Sequence, residues 1–370
     1  MWRPCLTAGA VAALAVGAPG QWTQFQMKRH DGRGAYLWSY PENWNRGVPN
    51  AALPCEIGDD TSRRALHCVI RGAAACQTME LAEHARTEGC TLRVEKGASL
   101  TFAAGAVISK DRQSTFYING AVRCLAAGHT FRVGGPWGKP DANLPSSGRV
   151  IVGPSGTLEA WFVGINTNHR ARTTPSSPWG PRYYSKATGS EIVVNHGRLT
   201  AREGLRISTT QARRPGALRL RGGATFTTRP KARHGVQVWS GVWEIQGRKA
   251  RIHVGKVEFW GSKFRGAVDA AGRTPLANAV SVLKLAGDGV STIHAGSASF
   301  VDATVLDVAD LRVPAGTYKV IDAGRFEKKN LRLAPGTDLN AWRLEFDAHN
   351  GHLLLVRKPD ALKRTARPKP

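Results

Sequence analysis

The sequence predicts an all-β protein: a single-stranded right-handed parallel β-helix with an aromatic N-terminal cap and a C-terminal β-hairpin cap. Three observations predict it. First, short runs of alternating apolar and polar residues recur, each entered through a glycine. Leu92 and Val94, then Leu100 and Phe102, mark two of them, and Ile192, Val194, Leu199, Leu218, Leu220 and Phe226 mark later copies. Alternation gives a strand one buried and one wet face. One such strand cannot bury its apolar side alone, whereas stacked copies cover each other. Second, 41 glycines and 20 prolines punctuate the chain often enough for many short strands. Third, Asn-Gly hairpin signals are few in the body and helical periodicity is almost absent. These set the solenoid ahead of an antiparallel β-sandwich, which also uses short strands with turn signals.

Residues 1–20 read as a signal peptide: Arg3, an apolar run over 6–18, then small residues near Ala18. The run is too short for a comfortable membrane span. A secreted or cell-surface protein is expected. Residues 21–54 form the N-terminal cap, in which Trp38 and Trp44 cover the open end of the stack.

Trp38-Ser39 followed by Asn43-Trp44-Asn45-Arg46-Gly47-Val48-Pro49 resembles the opening of secreted bacterial β-helix proteins of planctomycete type, with autotransporter-like strand repeats. The ending is similar too, at 316–322 and at 342–346. The resemblance implies architecture across nearly the whole mature chain, and no catalytic residue carries over. A looser likeness, to the G8 module, rests on a Trp, a Gly and a Pro before short Gly-rich strands. G8 modules occur in cell-surface proteins that handle hyaluronan, which implies a polysaccharide partner.

The body spans 55–313. Its strands are expected at 55–57, 66–70, 78–81, 91–94, 99–102, 116–118, 130–133, 149–152 and 157–163, and again at 280–285, 299–301 and 304–308. Two segments, 134–147 and 166–186, lack the pattern and read as loop insertions. Asn195-His196-Gly197 reads as a turn. Over 314–356 a C-terminal cap closes the stack through a hairpin at Asn350-Gly351, with Trp342, Leu344 and Phe346 on one face. The tail 357–370 is Lys, Arg and Pro rich and is expected to be disordered.

Cys5 leaves with the signal. The intervals Cys55–Cys76 and Cys68–Cys90 are each close to one coil, so two disulfides are expected, leaving Cys124 free; small buried thiols are the alternative. No close Cys-x-x-Cys pair exists and the histidines are scattered, so neither a metal site nor a cofactor is expected.

With 52 Lys and Arg against 27 acids, the net charge of +25 attracts polyanions in a salt-dependent way. For an exported protein these are acidic polysaccharides, anionic cell-envelope polymers or extracellular DNA, so nucleic acid stays open as a partner. High solubility alone is the plainer reading. The loop 166–186 carries His169, Arg170, Arg172, Trp179, Arg182, Tyr183, Tyr184 and Lys186 and no acid. Arginine pairs with carboxylate or sulfate, and a ring stacks on a sugar face. Strand alternation adds Trp161, Trp239 and Trp260 on the wet face, if Leu158, Ala160, Phe162, Val236, Val238, Val257 and Phe259 point inward.

Catalytic signals are weak. Asp59 and Asp60 are adjacent carboxylates without a second motif, and no Gly-x-Ser-x-Gly, His-Glu-x-x-His or P-loop occurs. The expected function is non-catalytic binding of acidic polysaccharide or envelope polymer. The alternative is a polysaccharide lyase or glycoside hydrolase acting on a uronic-acid polymer, with Arg182 and Tyr184 in the reaction. A purely structural surface protein is the third reading.

Overall fold

The computed structural model describes residues 22–58, 65–82, 89–109, 113–134, 147–165, 189–208, 216–239, 241–260 and 280–359. Within Cys90–Val94 the alternation behaves as read: Cys90, Leu92 and Val94 are buried while Arg93 is exposed. The same holds at Ser99–Phe102, where Leu100 and Phe102 point in. Among the described residues, twenty-six strands join in one sheet. Nearly all pair in parallel with the strand one coil on, so the chain is a parallel β-helix. The antiparallel sandwich is ruled out by this pairing. Among the described residues, antiparallel pairing is confined to the closing hairpin, its contact with Gly316–Ala323 and a single bridge between Phe25 and Trp44 in the N-terminal cap.

Each coil has three faces. Cys55–Ile57, Met79–Leu81, Ala106–Ile108, Thr130–Val133 and Gly235–Trp239 lie on the first. His67–Ile70, Cys90–Val94, Ser114–Ile118, Gly148–Val152 and Glu191–Asn195 lie on the second. Ala73–Cys76, Ser99–Phe102 and Ala121–Cys124 lie on the third. Longer strands turn a corner without ending: Thr157–Ile165, Arg198–Ser208 and Arg251–Trp260 run from the third face onto the first.

Stacking aligns like with like. On the first face the inward column reads Ile57, Leu81, Ile108, Val133, Ile165, Ile207, Val238, Phe259 and Phe300, all fully buried. Each such side chain contributes about 1.5–3 kcal/mol of apolar burial. Where the column turns aromatic, the Phe259 and Phe300 rings stack at 5.4 Å, and Trp243 stacks on Phe259 at 6.3 Å. Some corners between the second and third faces, at Gly120, Gly156 and Gly197, leave no room for a side chain. A Cβ on Gly156 would stand 2.0 Å from the Ile118 carbonyl oxygen.

The N-terminal cap is held by the motif that marked it. Trp38 and Trp44 are buried, and the Trp44 Nε1–H donates to the Trp38 carbonyl at 2.7 Å. Asn43, fully buried, donates to the carbonyls of Arg29 and Leu37 and accepts from the Arg29 N–H. At the other end, Trp342–Asp347 and His352–Arg357 form the expected hairpin, with Trp342, Leu344 and Phe346 packed on the core. Parallel pairing runs beyond residue 313, through Phe326–Leu333.

Two expectations are corrected. The bridges Cys55–Cys76 and Cys68–Cys90 are absent: Cys55, Cys68, Cys76, Cys90 and Cys124 are buried and none of them is in a disulfide. One coil brings Cys55 onto Met79 and Cys68 onto Leu92. Cys76 and Cys90 therefore fall short of the stacked position and themselves lie on Phe102 and Ser114. Phe162 does not point inward. A bulge between Ala160 and Phe162 shifts the register at the corner, so Val163 and Ile165 take the core positions and Phe162 is half-buried outside.

The stretches outside the described residues are flanked alike. Segments 135–146, 166–188, 209–215 and 261–279 each leave the end of a first-face strand and re-enter at the second face. Among the described residues, no helix is long and apolar enough to cross a membrane.

Candidate functional site

The outer side of the first face is where the unusual side chains gather. Its outward column runs Arg132, Gly164, Arg206, Gln237, Glu258 through successive rungs. Adjacent rungs are about 4.8 Å apart, so neighbours in the column touch. The Arg206 Nε–H and Nη2–H donate to the Gln237 Oε1 at 3.1 and 2.8 Å. Gln237 passes the chain on, its Nε2 donating to the Glu258 Oε2 at 2.9 Å, and Lys256 pairs with the other oxygen at 2.7 Å. The Arg206 guanidinium is thus fixed in orientation before any ligand arrives.

Rings flank that cation. Its Cζ lies 4.4 Å from the Trp239 ring centroid and 5.9 Å from that of Phe162. Such contacts are worth about 0.5–1 kcal/mol when exposed and more when desolvated. Trp239 leads to Trp260 on the next rung, centroids 6.2 Å apart. Trp260 is 40% exposed, so its ring meets solvent. His234 sets its edge against Phe162 at 5.6 Å. Burial pushes the Arg206 guanidinium below its ordinary value, opposed by Glu258. The His234 imidazole is also pushed down, by burial and then by the positive charges of Arg206 and Arg233. Arg132, deep in the same column, is pushed down to about 10 by burial.

Of the residues expected from sequence, Trp239 and Trp260 come together here. Trp161 sits at the preceding corner, half-buried under the Arg229 guanidinium at 5.2 Å, with Arg229 paired to Glu203 at 3.3 Å. His169, Arg170, Arg172, Trp179, Arg182, Tyr183, Tyr184 and Lys186 lie outside the described residues. Their segment follows Ile165, which stacks on Ile207 and lies two rungs from Trp239, on the side away from Trp260. Sequence reading missed Arg206, Gln237, Glu258, His234 and Phe162. Aligning 204–208, 235–239 and 256–260 on their apolar positions would have found three of them, since it superposes Arg206, Gln237 and Glu258, and Ser208, Trp239 and Trp260.

The second face looks different. Its outer ladder alternates in sign, Arg219, Glu244, Lys284, Asp307, and Glu191 bridges Arg149 and Arg219 at 2.7 and 2.8 Å. Opposite charges satisfy each other there, leaving little field for a ligand. Among the described residues, no group of three His, Cys, Asp or Glu side chains is arranged to hold a metal ion.

The fold and this column define a parallel β-helix with an aromatic and cationic outer seam. No protein-family model, no curated protein and no solved structure matches the chain.

Proposed function

We propose that this is an exported, non-enzymatic binder of acidic polysaccharide, and that the ligand lies across the first face. The observation that carries the reading is the pre-oriented Arg206 beside the Trp239–Trp260 pair, at the corner from which the acid-free segment 166–186 departs. A guanidinium held by Gln237 needs no reordering to meet a carboxylate, and an exposed indole offers a flat apolar surface to a sugar ring. Trp239 and Trp260 stand on successive rungs, so their rings follow one another along the direction an extended polymer would take.

Sedimentation with polygalacturonate, with neutral amylose as control, tests this. Binding to the acidic polymer alone is expected, weakening strongly between about 0.1 and 1 M salt as the screening length drops from about 10 to 3 Å. Trp260→Ala should lower affinity about tenfold, the order of a lost ring stack. Equal binding of amylose, or full affinity in Trp260→Ala, would sink the reading.

One observation favours a second reading, β-elimination from a uronate. His234 is biased to its neutral form beside Arg206, as a base next to a carboxylate-binding cation would be. It predicts unsaturated sugar ends, seen by ultraviolet absorbance, that vanish in His234→Gln.

A further inference from the structure

Among the described residues, two large apolar side chains are exposed, Trp260 and Leu339. Trp260 belongs to the lateral seam. Leu339 is 67% exposed and lies at the C-terminal end, between the last parallel strand and the closing hairpin. It lines a cavity of about 490 Å³ with Leu331, Leu333, Trp342 and Leu344, and Arg332, Arg343 and Lys358 stand on the same wall. No carboxylate is on the wall. Glu345 pairs with Arg343, and Asp338 accepts a hydrogen bond from the Asn340 N–H. Lys328 and Lys329, on the last parallel strand, are exposed nearby in sequence.

We infer that this end of the solenoid docks on an anionic phospholipid surface. Leu339 and Trp342 enter the boundary between headgroups and acyl chains, and Arg332 and Lys358 pair with phosphates, while Arg343 stays with Glu345. An apolar floor with a cationic rim matches an amphiphilic anion; a polysaccharide would leave the floor wet. The chain's own last residues do not match the rim, because Lys363, Arg364, Arg367 and Lys369 share its sign. Tryptophan is favoured at that depth. Docked end-on, the solenoid would keep its first face clear of the lipid. This inference is independent of the polysaccharide reading.

The test is co-sedimentation of the full chain with phosphatidylcholine vesicles, with and without phosphatidylglycerol. Binding is expected only with phosphatidylglycerol. Leu339→Asp, exposed enough to leave folding intact, should reduce partition about tenfold, the order of one leucine withdrawn from an apolar environment. Arg332→Glu should reduce it more than Lys231→Glu, an equal charge change at an exposed site away from this end. Trp260→Ala should bind vesicles as the parent does, which separates this outcome from that of the lateral seam. Unchanged partition in Leu339→Asp, or equal losses in Arg332→Glu and Lys231→Glu, would overturn the inference in favour of unspecific charge attraction. Stronger vesicle binding after truncation at Pro359 would overturn it in favour of the chain's own tail as occupant.

Discussion

Gly156 shows how tightly one rung constrains the next. Its hydrogen faces the Ile118 carbonyl, where a methyl group would stand 2.0 Å from oxygen. Gly156→Ala should therefore lower stability by about 1–3 kcal/mol or more, read as a lower urea midpoint with unchanged slope. The thiols give a second residue-scale prediction. Burial raises the pKa of Cys55, Cys68 and Cys124, the last to about 12, so thiolate is scarce. None of the five body cysteines should react with a thiol reagent in the folded protein, and all should react once it is unfolded without reductant. Failure of the unfolded chain to react would establish bridges after all. His234 sets a pH dependence. Its folded pKa is lowered, so the unfolded chain binds that proton first. Stability should then decline as pH falls through about 6.5, and His234→Gln should flatten the melting temperature over that window.

The end elements carry more risk than the middle ones, because each has a neighbour on one side only. Trp44 meets Phe25 at 5.0 Å and Trp38 at 4.8 Å, both edge-on, and covers the first coil. Trp44→Ala should cost about 3–5 kcal/mol and expose the first-coil amides to hydrogen exchange. Such elements were legible because local pattern defines them: alternation for the strands, Asn-Trp-Asn for the cap, Asn350-Gly351 for the hairpin. What escaped depends on how one coil lies on another. Phe162 escaped because a bulge at a corner inverts the alternation that preceded it. The cysteine pairs escaped because coil length, not spacing alone, decides which residues stack. Arg206 and Gln237 escaped because they become neighbours only across a coil, and insertions of unequal length hide that register. Trp239 and Trp260 were legible since a single strand suffices to orient each.

For the whole molecule, the described residues give the two faces different outer columns. The second face alternates in sign, while the first aligns a cation with rings. Stability is close to a sum over rungs and their contacts, so exchange protection should peak in the central coils, around 148–260, and fall toward both ends. Uniform protection along the chain would argue for one cooperative block instead. The insertions enter at a single edge of an otherwise regular column, where chain can be added without displacing any stacked residue. Recognition and scaffold are thereby uncoupled: that edge works as a socket for interchangeable parts. A relative could exchange the segment 166–188 for one of another length and chemistry, acquiring a new partner while melting at the same temperature.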